Sequence, residues 1–315
     1  MNRMTVDHRV AVVGGSGFIG STVARALALR GCSVQLVHAP RLPGMLPSDA
    51  RRYVESKPAI LNHLAVAFEG CDRVVNAGGI AQADSRDTRS LTTANAVLPA
   101  IVAVAASEMG ATRFVHVSSA AVQGRLPLLD DSFNYAAFSE YSRSKVLGER
   151  LVKEFAPRIA VVYRPPSVHG CSRQQTHSLA KFAASRFSSV AGSGQTASPQ
   201  ALVANVGDAI AFLVSTPQQP PGIVSHPWEG LSASDVLEIL GGKSPIRLPR
   251  SLARAMVMSL RFLGIGVHAM KANERRLEVL WFGQPQAVSW LEVAGWVPVD
   301  GRNAWNELGE SLRAQ

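Results

Sequence analysis

Tyr141 and Lys145 stand four residues apart in Tyr141-Ser142-Arg143-Ser144-Lys145, and on a helix that spacing puts a phenol and an ammonium on one face. The ammonium favours the phenolate and so lowers the phenol pKa from about 10 towards neutrality. A tyrosine tuned in this way can pass a proton to or from an alcohol or carbonyl oxygen while a hydride moves. The same spacing also occurs in ordinary exposed helical pairs, so its position in the fold decides its meaning. Upstream, Phe114-Val115-His116-Val117-Ser118-Ser119 puts two serines just past a strand-like run, where α/β folds build their sites. Ser119 is then placed to hydrogen-bond a substrate oxygen alongside Tyr141, unless the two serines merely cap a turn.

The second chemical signal is Gly14-Gly15-Ser16-Gly17-Phe18-Ile19-Gly20, with glycines at 14, 17 and 20 between a β-branched run and a helical pattern. Glycine permits the tight turn and lets backbone N–H groups and a helix N-terminus approach a pyrophosphate. The G-x-x-G-x-x-G spacing differs from the G-x-G-x-x-G of long-chain dehydrogenases, and the Gly-Lys-Ser/Thr of a P-loop is absent, which disfavours nucleotide hydrolysis.

These residues need a scaffold, and the periodicity supplies one. Arg9 to Val13 predicts a strand, Phe18 to Leu29 a helix and Ser33 to Val37 a second strand, a β-α-β unit. Arg73 to Asn76, Phe114 to Val117 and Ile159 to Tyr163 predict further buried strands, and Leu91 to Met109 and Tyr141 to Phe155 predict helices. This alternation implies an α/β fold with a doubly wound parallel (Rossmann) sheet over residues 1–170. Ala39 to Pro58, with four prolines and Gly44, reads as an irregular connection. Residues 171–315 are expected to form a smaller substrate-binding portion, with 203–216 returning to the sheet. Val203 to Leu213 predicts a strand end and a helix capped at Asp208. Pro249 to Val267 is too interrupted by Arg254 and Arg261 to span a membrane. Arg247, Arg250, Arg254 and Arg261 would share one helical face if the helix reached that far. That face is either solvated or turned to phosphate or a membrane surface, so peripheral membrane contact remains an alternative.

Composition narrows the class of partner. The 315 residues are 47% hydrophobic and 17% charged, which fits a folded chain rather than a disordered one. Lys plus Arg outnumber Asp plus Glu by 32 to 23, a net charge of +9 that favours anionic partners. The basic residues are spread out and no zinc finger, homeodomain or RNP-like strand accompanies them, so no nucleic-acid partner is expected. Cys32, Cys71 and Cys171 form no C-x-x-C, and the eight histidines have no metal-binding spacing, so neither a disulfide framework nor a metal is expected. With no signal-peptide pattern after Met1, a cytoplasmic location is the expectation.

Taken together, the motifs resemble the extended short-chain dehydrogenase/reductase family, the NAD-dependent epimerase/dehydratase group. The glycine turn is similar to its G-G-x-G-F-I-G, Val117 to Gly124 to its V-S-S-x-x-V-Y-G, and Tyr141 and Lys145 to its Y-x-x-x-K. Arg164 to Gly170 resembles R-P-x-x-V-Y-G, Val203 to Ala211 resembles N-V-x-D-x-A, and Ala294 to Pro298 resembles the closing L-G-W-x-P. The resemblance implies Ser119, Tyr141 and Lys145 as catalytic residues, with Tyr141 the acid/base and Lys145 also on the nicotinamide ribose. It implies cofactor contacts from Gly14, Ser16, Gly17, Phe18, Ile19 and Gly20. Further cofactor contacts are implied from Ala77, Gly78, Asn95 and Val117, and from Pro165 to Val168. Ser119, Ala120 and Arg276 are the expected substrate contacts. The helices at 88–110 and 139–155 resemble those of the family's dimer interface, so a homodimer is expected.

Three departures refine the expectation. Ala120-Ala121 stands where dehydratases carry Asp-Glu, which argues against elimination of water; Gln123 replaces the usual Tyr; and Asn76-Ala77-Gly78-Gly79 replaces H-L-A-A. His38-Ala39-Pro40-Arg41 lacks the acid that holds a ribose 2′-OH, while Arg41 suits a 2′-phosphate, so NADP is favoured slightly over NAD. The expected activity is epimerisation or ketone reduction at a secondary alcohol or ketone, most readily of a nucleotide sugar. A dehydrogenase of apolar, steroid-like ketones, with 248–267 lining a greasy pocket, and a non-catalytic cofactor-binding regulator are the alternatives.

Overall fold

The computed structural model describes residues 8–81, 87–263 and 268–314. The chain start at 1–7 and the end of the apolar 249–267 stretch, residues 264–267, lie outside the described residues. Strands β1 (Arg9–Val13), β2 (Ser33–Val37), β3 (Arg73–Asn76), β4 (Arg113–Val117), β5 (Ala160–Arg164) and β9 (Ile223–Ser225) form one sheet in the order β2-β1-β3-β4-β5-β9. Every pairing is parallel. The order reverses between β1 and β3, which opens the crevice for ligands at the C-terminal ends of those strands.

Alternation along β1 explains why both faces are covered. Val10 and Val12 face a cluster with Val23 and Leu27 of α1 (Phe18–Leu29) and Val206 and Ile210 of α8 (Val203–Ser215). Ala11 and Val13 face the opposite cluster, built from α2 (Pro47–Glu55), α3 (Ile60–Ala67), α5 (Leu98–Glu108) and α6 (Glu140–Phe155). The short helix α4 (Thr88–Thr92) runs through a π-helical turn, Thr93–Val97, into α5. The predicted 91–109 helix is therefore interrupted. Pro99 has no N–H for the Asn95 carbonyl, and the wide turn falls there. The stretch Thr88–Glu108 is long and apolar enough to cross a membrane by composition, but it is mostly buried as a core helix.

The remaining elements are β6 (Ser167–His169), α7 (Gln174–Ala184), β7 (Ser189–Ala191), β8 (Gln200–Leu202), α9 (Ala233–Gly241), β10 (Ile246–Leu248), α10 (Arg250–Leu263), α11 (His268–Phe282), α12 (Trp290–Val293) and α13 (Arg302–Arg313). β6 pairs with β8 and β10 with β7. Two further clusters sit here, one under α7, α9 and α13 around Trp305, the other between α10 and α11 around Trp281. The main sheet also takes β9, beyond the 203–216 segment expected to return to it.

Several expectations are corrected. The 39–58 connection contains α2, because Pro47 sits in the first turn of a helix, where a missing N–H costs nothing. Helix α8 starts at Val203 without a side-chain cap, and Asp208 lies inside it, bonded to Arg30 at 2.8 Å and to the Trp296 indole at 2.8 Å. That carboxylate ties α1, α8 and the L-G-W-x-P-like segment together. Arg247 belongs to β10, so the four arginines do not share one helix, and Arg261 is taken up by Glu274 at 2.8 Å and Glu278 at 3.4 Å.

Candidate active site

The glycine turn closes on the ends of its neighbours. Gly14 takes a left-handed φ of +76°, its N–H bonds the Val37 carbonyl at 3.0 Å, and a Cβ there would lie 2.7 Å from the Gly78 nitrogen. At Gly20 a Cβ would stand 2.1 Å from the Gly14 carbonyl oxygen, so α1 can start this close to the turn only without a side chain. Gly17 caps α1, whose first turn holds no acid. A cleft of about 500 Å³ opens at this helix N-terminus, lined by Ser16, Gly17, Phe18 and Thr22 on one side and by Gly170, Cys171 and Arg173 on the other. Backbone N–H groups, the helix dipole and a guanidinium on one cleft suit a pyrophosphate. Phe18 and Ile19 turn partly into the core, where Val168 is also buried, and of these three Phe18 lines the cleft.

Helix α6 carries the second half of the site. It begins one residue before Tyr141 because Ser139 and Ser142 form a reciprocal capping box. Tyr141 is half-buried with its phenol near the Ser119 side chain, whose Oγ accepts from the Ala121 N–H at 3.2 Å and so caps the turn that follows. Lys145 is 5% exposed, and its Nζ donates to the Val117 carbonyl at 3.0 Å, at the C-terminal end of β4. Burial pulls the Lys145 pKa down to about 8 against the opposing pull of Glu149. Burial likewise pushes the Tyr141 phenol up, and the neighbouring Ser119 hydroxyl and the Arg173 guanidinium oppose that rise. Besides the expected Lys145, a second cation acts on the phenol: Arg173, which also stacks 5.0 Å over the Phe18 ring.

Beneath this pair lies a polar frame that sequence reasoning missed. Glu149 and Arg164 form a fully buried ion pair at 2.6 Å, and the Ser118 hydroxyl donates to Glu149 at 2.5 Å. Arg164 also donates to the Ser132 carbonyl at 2.7 Å. The ends of β4 and β5 and the middle of α6 are locked together through one carboxylate. Glu149 follows Tyr141 and Lys145 at the same i, i+4 step, which is the sequence signal for it.

Other expected site residues are placed as follows. Ala77 donates its N–H to the Val13 carbonyl at 2.9 Å, beside Gly78. Asn95 is buried and its amide bonds the Ile80 N–H and carbonyl, each at 3.0 Å, and Ser144, so it holds the loop after β3 rather than facing the cleft. The Ala120 N–H donates to the Pro165 carbonyl at 2.8 Å, which joins the Ser119 turn to the segment after β5. Gln123, in place of the usual Tyr, accepts from the Asp130 N–H at 2.9 Å and donates to its carboxylate at 2.6 Å, a structural role. His38 and Arg41 are exposed just past β2. Arg276 is exposed on α11, a helix that packs chiefly on α10, β7 and α9, away from the main sheet. Leu252, Met256 and Met258 of α10 point to solvent instead of lining a greasy pocket.

A parallel sheet with its glycine turn at the strand-order reversal defines a dinucleotide-binding α/β protein. The family model for the NAD dependent epimerase/dehydratase family matches residues 10–219, more than half of the chain, and the chain belongs to that family. Its members are NAD(P)-dependent enzymes, and this chain is one. No curated protein sequence matches the chain. Among solved structures it is similar to MoeE5 in complex with UDP-glucuronic acid and NAD, at 18% identity and a TM-score of 0.67 over 97% of this chain and 99% of that one. It is also similar to the UDP-glucuronic acid 4-epimerase of Bacillus cereus in complex with NAD, at 17% identity and a TM-score of 0.65 over 97% and 99% of the two chains. A third similar structure is dTDP-4-dehydrorhamnose reductase of Bacillus anthracis str. Ames in complex with NADP, at 17% identity and a TM-score of 0.61 over 98% and 99%. Identities this low establish a shared fold.

Proposed function

We propose that the protein is an epimerase or ketoreductase that acts on a secondary alcohol or ketone of a nucleotide sugar. The observation that carries this reading is the shared placement of Tyr141 and Lys145 on α6, with buried Lys145 bonded to the end of β4 just before Ser119 and Arg173, which lines the glycine-turn cleft, acting on the Tyr141 phenol. The N-terminus of α1 and Arg173 would hold the pyrophosphate, and Lys145 a ribose hydroxyl. The bound nicotinamide supplies the hydride chemistry. Ser119 hydrogen-bonds the reacting sugar oxygen, and Tyr141 takes its proton when a carbonyl forms and returns it when an alcohol forms. Arg173 favours the phenolate form needed for the first step. Two methyl side chains at Ala120 and Ala121 transfer no proton, so water elimination is not part of the reaction.

The substrate class is supported by the bound UDP-glucuronic acid of MoeE5, and both reaction types occur among the similar structures. NADP is the preferred cofactor in this reading, because an exposed arginine and no carboxylate follows β2. The test is to incubate the protein with a panel of nucleoside-diphosphate hexoses, with and without NADPH, and follow products by mass and proton NMR. An epimer formed without added cofactor identifies an epimerase, and a reduced product formed only with NADPH identifies a reductase. A 4-keto-6-deoxy product contradicts the argument from Ala120-Ala121, and the absence of any turnover overturns the reading.

A further inference from the structure

The most basic part of the chain plays no role in the site above. From Lys243 to Leu263 there are five cations, Lys243, Arg247, Arg250, Arg254 and Arg261, and no Asp or Glu. Among the described residues, helix α10 buries a narrow stripe, Ala253 and Val257 against Trp281. Its outward side, Ser251, Leu252, Ala255, Met256, Met258 and Ser259, is exposed and uncharged. Leu252 is 49%, Met256 43% and Met258 54% exposed, and Ile246 on the adjoining β10 is 54% exposed. Arg250 and Arg254, one helical turn apart, edge this face, and Arg247 stands exposed on β10. Among the described residues no carboxylate pairs with any of these three, in contrast to Arg261, which Glu274 and Glu278 neutralise.

We propose that this face of α10 and β10 is a docking surface for an anionic lipid membrane. An apolar helix face bordered by arginines, with no acid along it, is what lies in the plane of a membrane interface. Leu and Met side chains enter the headgroup boundary and guanidinium groups meet lipid phosphates. Water leaves several large apolar side chains of one helix uncovered at a cost that burial in the interface removes. A second copy of this chain fits less well: a two-fold contact between identical patches brings the same arginines and no acid to the contact, so their charge finds no counterpart.

The test is co-sedimentation of the full chain with phosphatidylcholine vesicles that contain or lack phosphatidylglycerol. The protein is expected to pellet only with the anionic vesicles and to be released by salt. Arg247→Gln with Arg254→Gln should lower the partition coefficient about fivefold per residue, or roughly twenty-five-fold for the pair. Leu252→Ser with Met256→Ser should weaken binding at unchanged charge, and thermal melts identify any variant that has lost its fold. Wild-type protein left in the supernatant with anionic vesicles, or binding that neither pair of substitutions alters, overturns the proposal. An oligomer in sedimentation velocity that Leu252→Ser with Met256→Ser dissociates would assign the face to a second copy instead.

Discussion

Replacing Glu149 by Gln tests the frame that holds the site. The carboxylate is fully buried and meets Arg164 through two contacts, Nη2 to Oε2 at 2.6 Å and Nε to Oε1 at 3.0 Å, while Ser118 donates to Oε1 at 2.5 Å. Glu149→Gln would remove the negative charge and turn an amide NH2 towards a guanidinium that is 1% exposed and cannot move to water. Breaking a buried ion pair from one side costs about 3–5 kcal/mol, because the remaining charge is uncompensated. The carbonyls of Ser132 and Asp130 still solvate Arg164, at 2.7 and 3.3 Å, which places the expected loss near the lower end of that range. Urea unfolding followed by circular dichroism should show the loss as a lower midpoint at unchanged slope. Turnover should fall as well, since Ser118 precedes Ser119 and α6 carries Tyr141 and Lys145. A loss below about 1 kcal/mol would refute the account of the pair as the joint between β4, β5 and α6.

Three further outcomes follow from the geometry. Gly20→Ala puts a Cβ into space 2.1 Å from the Gly14 oxygen, so α1 must shift; cofactor affinity by titration calorimetry should fall at least about tenfold with about 1–3 kcal/mol of stability lost, and normal affinity would contradict the close approach. Lys145 has its pKa depressed to about 8 from 10.5 by burial, so between those values the unfolded chain binds the proton and the native state does not. The cofactor-free protein should therefore gain stability relative to Lys145→Met as pH rises through that window, by up to about 1.4 kcal/mol per pH unit, and parallel stability curves would contradict it. Arg41→Ala should weaken NADPH binding by about 1.5–3 kcal/mol and leave NADH binding almost unchanged, and equal effects on both would show that Arg41 does not read the ribose.

The local signals were legible because they depend on neighbours in the chain. The glycine turn, the first three strands and α1 follow from β-branched runs, helical spacing and backbone freedom, and β1, α1, β2 and β3 have the expected bounds. Tyr141 and Lys145 share α6 as their spacing predicts. What could not be read joins residues far apart in sequence. The Arg30–Asp208 pair spans 178 positions, so the N-V-x-D-x-A-like segment gave no hint that its acid is a structural clasp rather than a cap. Arg173 becomes a second cation on Tyr141 only because the chain after β6 returns to the glycine turn. Pro47 misled in the other direction, since a proline that ends a helix from within also starts one from its first turn.

The role of Tyr141 is the centre of the account, and one substitution isolates it. Tyr141→Phe keeps the ring and removes the proton, so single-turnover measurement of cofactor absorbance after mixing with the preferred nucleotide sugar reads the chemical step alone. The expected result is a fall of at least about 100-fold in that rate with cofactor affinity unchanged. A near-normal rate in the Phe variant would contradict it.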